Sequence, residues 1–167
     1  MCEKWRVSGM ILYHGSNIEI VEIDLLKSRP NKDFGRGFYL SAKRDQAFRM
    51  AQFKTKIEGG NPSVTEYEFD DFLLTSGELK VKTFDAYTEE WAQFIFLNRN
   101  NREATQQHDY DIVYGPIAND YVGVQMTKYE EGDITLAELL ENLKYMKGIT
   151  FQYFFGTVRA ISKLRKL

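Results

Sequence analysis

The sequence predicts an α+β fold, and three observations predict it. Short apolar runs that read as strands are scattered among helical stretches, without the regular alternation of a doubly wound sheet. Aromatic residues make up 14% of the chain, through 12 Phe, 10 Tyr and 2 Trp, which favours strand-rich structure. No Gly-x-Gly-x-x-Gly stands at a strand-to-helix turn, so a Rossmann-type nucleotide site is not expected. At 167 residues the chain fits one domain, long enough to enclose a core without disulfides or structural metal. Residues 10–167 read as that domain and residues 1–9 as an N-terminal extension, because Met10 opens the first strong strand.

Taken in order, residues 10–13 form an apolar strand that ends where Gly15 follows His14. Residues 17–33 are irregular. The run Phe34-Gly35-Arg36-Gly37-Phe38-Tyr39-Leu40 reads as a glycine turn entering a strand. Ser41 is an N-cap candidate for the next helix, with Asp45 in its first turns. In that helix Ala47, Met50, Ala51 and Ile57 recur at core-facing spacing. Residues 58–62 form a loop, and residues 64–69 and 79–84 read as strands. Thr88 can cap a helix running to about Asn98, with Trp91, Phe94 and Ile95 on one side. Residues 111–114 are a further short strand. Thr135 and Glu138 have capping-box spacing, Ile134 and Leu139 suit a hydrophobic staple, and Leu136, Leu139, Leu140 and Leu143 fill one face. Residues 149–155 read as a buried strand interrupted by one amide, Gln152. Gly156 and Thr157 then turn into a last helix carrying Ala160, Ile161 and Leu164.

Composition excludes several classes. The formal net charge of −2 gives no electrostatic reason to expect nucleic acid. The basic tail of Lys163, Arg165 and Lys166 reads as cations near a helix C-terminus. A single cysteine, Cys2, rules out an internal disulfide, and two histidines make a metal centre unexpected. No apolar run reaches the roughly 18 residues of a membrane helix. Charges at Glu3, Lys4 and Arg6 break up any signal-peptide core, so a cytoplasmic location is expected.

Three places carry candidate chemistry. At Tyr13-His14-Gly15-Ser16 a polar ring ends an apolar strand beside a residue without a side chain, which lets backbone amides approach a flat ligand. At Gly35-Arg36-Gly37 paired glycines deliver Phe38 and Tyr39 to a strand start, and alternation sends Phe38 into the core. At Phe151-Gln152-Tyr153-Phe154-Phe155 a neutral amide sits in an apolar strand.

In that order the three resemble the ADP-ribosyltransferase superfamily, in its poly-ADP-ribose-polymerase-like and diphtheria-toxin-like branch. There a strand ending His-Gly-Ser or His-Gly-Thr precedes Phe-Gly-x-Gly-aromatic-Tyr and a helix, and a later strand has the form Glu-Tyr-aliphatic-aliphatic-Tyr. Here Gln152-Tyr153-Phe154-Phe155 resembles that strand with Gln in place of Glu. The whole chain also resembles an uncharacterised bacterial family of that superfamily, domain of unknown function 3990. In that family Asp33 would open the glycine motif, and Gly115-Pro116-Ile117-Ala118-Asn119-Asp120 resembles a second signature.

The resemblance implies a split β-sheet core with flanking helices and NAD as substrate, with no metal. It implies that the Gly15 backbone pairs with the nicotinamide carboxamide and that Tyr39 stacks on the ring. His14 would hydrogen-bond a ribose hydroxyl, Ser16 and Ser41 would assist, and Gln152 would hold the nicotinamide ribose. His14, Tyr39 and Gln152 are thus the expected catalytic residues, and they should line one cleft. The implied activity is mono-ADP-ribosyl transfer to an unidentified macromolecule, toxin-like, with a neutralising protein partner in prospect. The alternative is an inactive NAD-binding or partner-binding module on the same fold, because Gln152 carries no charge. Arg36 and Arg99 are candidates for pairing with pyrophosphate, and Asp120, Glu89 or Glu90 for a substitute carboxylate. His108 is expected to be exposed. An RNA 2′-phosphotransferase shares the fold, but would want basic residues around the pocket.

Overall fold

A computed structural model describes residues 9–103 and 105–167 of the chain. Its elements are mixed α and β, in two sheets. Strands β1 (Gly9–Ser16), β3 (Ser63–Asp70) and β7 (Arg165–Lys166) form an antiparallel sheet with β3 in the middle. Strands β2 (Phe38–Leu40), β6 (Phe151–Phe155), β5 (Ile112–Pro116) and β4 (Val81–Thr83) form the second, in that order. All its pairings are antiparallel except β4 with β5. One isolated bridge, Tyr13 to Ser41, joins the sheets.

Strand alternation sorts the apolar residues into two cores. Leu12, Tyr67 and Phe69 of the first sheet meet Phe38, Leu40, Ile112 and Phe155 of the second in an inner core. The opposite face of the second sheet carries Val113 and Phe154, and three helices cover it. These are α2 (Glu89–Arg99), α3 (Asp120–Glu130) and α4 (Leu136–Lys144), contributing Trp91, Ile95, Val122, Met126, Leu139 and Leu143. Helix α1 (Arg44–Glu58) lies on the outer face of the first sheet, against β1 and β3. The one-turn α5 (Val158–Ile161) adds Ala160 to the inner core.

Local chemistry explains the helix starts. Thr88 accepts from the Trp91 N–H to open α2, and Asn119 accepts from the Val122 N–H to open α3. Thr135 and Glu138 complete the expected capping box, with Leu139 buried and Ile134 packed beside it.

Several expectations are corrected. Ser41 does not cap α1: the N-cap is Lys43, and the Ser41 hydroxyl accepts from the Lys43 N–H two residues on. Only Ala47 and Ala51 of α1 are buried, while Met50 and Ile57 are exposed, because small residues let the helix lie flat on β1. The strand expected at 79–84 is only Val81–Thr83. The last helix stops after one turn, and the basic tail forms β7, where Arg165 pairs with Glu68 and Lys166 with Glu19. The extension assigned to residues 1–9 lies, apart from Gly9, outside the described residues, and Gly9 belongs to β1. No described helix is long and apolar enough to cross a membrane.

Candidate functional site

The site begins where β1 and β2 part. Tyr13 and Ser41 exchange two backbone hydrogen bonds, each 2.8 Å. An antiparallel ladder continued from that pair would set Gly15 opposite Tyr39. It does not continue, and the His14 side chain takes its place: Nδ1 lies 2.6 Å from the Tyr39 carbonyl oxygen. Alternate residues of a strand turn their polar groups to the same edge. Gly15 therefore presents both its N–H and its C=O to the split between the strands. A side chain here would force α1 to move, since a Cβ would lie 1.8 Å from the Ala47 carbonyl oxygen.

A carbonyl only accepts, so His14 Nδ1 carries the proton and Nε2 keeps a lone pair. The ring stacks on Phe38 with centroids 4.0 Å apart. Burial, reinforced by the charges of Lys54 and Lys32, lowers its pKa to about 3 against the pull of the Tyr39 carbonyl. The imidazole is neutral at ordinary pH, and among the described residues nothing hydrogen-bonds Nε2.

Tyr39 is pinned by its own turn. Its hydroxyl donates to the Gly35 carbonyl at 2.7 Å and accepts from the Phe34 N–H at 3.1 Å. Phe154 meets the ring edge-on at 5.3 Å between centroids, and the Lys32 ammonium stands 5.1 Å from the ring centre. Burial raises the phenol pKa well above its usual value.

Side chains from a distant segment hold the glycine turn. The Gln106 amide accepts from the Arg36 N–H and donates to the Arg36 carbonyl, at 3.1 and 2.8 Å. His108 accepts from the Tyr110 N–H at Nδ1, so Nε2 donates to the Phe34 carbonyl, 2.7 Å away. One Asp33 oxygen pairs with Arg99 at 2.8 Å, and the other accepts from the Ala118 N–H at 3.1 Å. Gly35 needs glycine for its φ of +93°, and at Gly37 a Cβ would lie 2.7 Å from the Phe155 carbonyl oxygen. These contacts correct two expectations. His108 is half-buried and structural, and Arg99 is taken by Asp33. Arg36 has a buried Nε without a partner among the described residues.

The Gly115–Asp120 segment has a structural role. Pro116 accepts from the Trp91 indole at 2.7 Å, Ala118 ties to Asp33, and Asn119 caps α3.

The structure brings His14, Tyr39 and Ser41 together through the backbone. Ser41 and Ser16 are buried. Gln152 lies on the neighbouring strand, one residue before Tyr153, the partner of Leu40. Its other neighbour is Gly115, which has no side chain to cover it. Alternation puts Gln152 on the face of the Tyr39 and Phe154 rings, whereas the His14 ring lies against Phe38 on the other face, so the three side chains do not line one cleft as expected. No hydrogen bond joins Gln152 to His14, Tyr39 or Ser41 among the described residues. Of the alternative carboxylates, Glu90 pairs with Lys82, Glu89 accepts from Gln93, and Asp120 sits in the first turn of α3. No group of three or more His, Cys, Asp or Glu among the described residues could hold a metal. A surface groove of about 660 Å³ between α2 and α3 includes none of the site residues.

Fold and site together define an α+β protein whose two sheets part at a histidine–glycine edge. Residues 10–166 match the family described as "Protein of unknown function (DUF3990)", and the chain belongs to that family. No curated protein and no solved structure matches it.

Proposed function

We propose that the chain binds NAD in the split between β1 and β2 and transfers ADP-ribose to a macromolecule, releasing nicotinamide. The observation that carries this reading is the Gly15 edge beside His14. A primary carboxamide has an acceptor oxygen and an N–H donor side by side, and Gly15 offers the complementary N–H and C=O. The His14 lone pair at Nε2 suits a ribose hydroxyl as donor. On this reading the two-sheet core is the split sheet of an ADP-ribosyltransferase. A toxin-like role with a neutralising protein partner belongs to the same proposal.

NAD supplies a glycosidic bond to nicotinamide whose cleavage places positive charge on the ribose. The Gly15 edge would orient the carboxamide, and the part-buried Tyr39 ring would border the nicotinamide. Gln152 would accept from a ribose hydroxyl through its amide oxygen. Without a carboxylate there, roughly 10²–10³ in rate is forgone. That neutral amide, with Glu89 and Glu90 engaged elsewhere, favours a second reading: a module that binds NAD or a partner without turnover.

Nicotinamide release by purified protein separates the readings. Gln152→Ala should cut it at least about tenfold, and Gln152→Glu should preserve or raise it. NAD that raises the melting temperature without any release, in wild type and Gln152→Glu alike, leaves the binding module. No thermal shift and no release at millimolar NAD removes both NAD readings.

A further inference from the structure

Two half-buried lysines flank the split, and neither meets a carboxylate within ion-pair distance among the described residues. Lys32 belongs to the loop before β2, and its ammonium stands 5.1 Å from the centre of the Tyr39 ring. Lys54 lies on α1, three residues beyond Ala51 and seven beyond Ala47, the residues against which Gly15 is pressed. That spacing keeps it on the helix face turned to β1, one turn further along. By contrast Lys80, Lys82 and Lys163 are all ion-paired. Arg29, from the same loop as Lys32, adds a third positive charge near it, while Glu58 and Asp33 oppose. A loop and a helix thus converge two desolvated cations on one edge, with the Glu58 carboxylate near both and ion-paired with neither among the described residues.

We propose that Lys32 and Lys54, with Arg29 at the rim, form a cradle for the pyrophosphate of a dinucleotide whose carboxamide end lies on Gly15. The proposal deepens the NAD reading and rests on it for the carboxamide end, but the cradle can be tested apart. It replaces Arg99 as an expected phosphate ligand, since Arg99 is committed to Asp33. Like charges held together repel, and a bound diphosphate removes that repulsion. Burial and the neighbouring cations lower the Lys32 pKa to about 8, and burial lowers that of Lys54 against the opposing pull of Glu58. The groups facing Lys32 are Lys54, Arg29, Glu58 and Asp33, with His14 and Tyr39 below it. An anion in the cradle raises the Lys32 pKa, so binding near pH 8 takes up a proton.

Calorimetric titration of the full chain with inorganic pyrophosphate, ADP-ribose and nicotinamide tests this. Pyrophosphate and ADP-ribose should bind with an affinity that falls with salt, and with a buffer-dependent enthalpy near pH 8. Lys32→Met and Lys54→Met should each weaken both about tenfold or more, and Lys32→Met should abolish the proton uptake. Melting temperatures check that both variants fold, and Lys32→Gln and Lys54→Gln serve as second variants. Loss of the phosphate ligands in the variants upholds the cradle, whether or not NAD is turned over. Unchanged affinity for pyrophosphate and ADP-ribose in both variants overturns the cradle and leaves the NAD reading in place. Absence of binding by pyrophosphate and ADP-ribose to wild type overturns it as well. Binding of a 2′-phosphorylated oligoribonucleotide, with no response to ADP-ribose, would overturn it in favour of RNA.

Discussion

His14 has to stay neutral for Nε2 to keep its lone pair, and that requirement has a measurable cost in acid. The unfolded imidazole titrates near 6.5 and the folded one at about 3. Between those values the unfolded chain binds a proton that the folded chain does not, so stability rises with pH across the window. The contribution is complete above the unfolded value and is lost as pH falls toward 3. His108, also lowered by burial, acts with the same sign. Melting temperatures should therefore fall between about pH 7.5 and about pH 5, where carboxylates of ordinary pKa stay ionised. His14→Gln should flatten that fall, and an equally steep fall in the variant would remove His14 as its main source. At Tyr39 the hydroxyl serves the turn. Tyr39→Phe leaves the Phe34 N–H and the Gly35 carbonyl without that partner, at about 1–3 kcal/mol in urea unfolding. Both residues stood out in the sequence because a polar ring at a strand end and an aromatic after paired glycines are local patterns. Lys32 and Lys54 did not, since only the fold brings a loop and a helix together, and a net charge of −2 hides a local pair.

The glycine turn shows how an element is made rigid from outside. Asn98, Arg99, Gln106 and His108 all bind backbone or Asp33 of that turn, and Ser28 accepts from the Gly37 N–H. Asp33→Asn keeps an acceptor for the Ala118 N–H but loses the charge on Arg99, so it should cost about 1–2 kcal/mol. In a cycle with Arg99→Met the two losses should not add, and strict additivity would show that the pair is not coupled. Gly15→Ala tests the other wall. Its methyl would lie 1.8 Å from the Ala47 carbonyl, so α1 must shift, at roughly 1–3 kcal/mol or more. A variant as stable as wild type in chemical denaturation would mean that α1 yields freely. The α2 and α4 starts were legible because Thr88 and Thr135 are capping residues ahead of apolar periodicity. Helix α3 was not: Val122, Gly123, Val124 and Thr127 are weak helix formers, and only Asn119 marks its start. Nor was the support of the turn legible, because Asp33 and Ala118 are joined only through folding.

On the scale of the molecule, the two cores are legible in outline. Alternation separates Phe38 from Tyr39, and the structure assigns them to opposite cores. The basic tail was misread because a two-residue edge strand has no period of its own. Its cations find Glu68 and Glu19, partners remote in sequence, and not a helix end. Likewise the break between the sheets leaves no mark in composition. It arises because the His14 ring, not the Gly15 backbone, takes the Tyr39 carbonyl.

That break makes the link between the sheets a joint. Among the described residues one backbone bridge and one imidazole span it, with the Gln46 amide of α1 donating to the Phe151 carbonyl of β6, while the inner core beneath is held by contacts that have no preferred direction. Rocking of the two sheets about Tyr13 and Ser41 is therefore the expected motion, since it would tear neither ladder. Amide hydrogens report such motion directly. Those of Tyr13 and Ser41 should exchange through a local opening, faster than the amides of β3 and β6, whose exchange follows global unfolding. A ligand that grips both banks of the split should slow the first pair and leave the others unchanged. Uniform exchange across all four places would mean that the sheets move as one body.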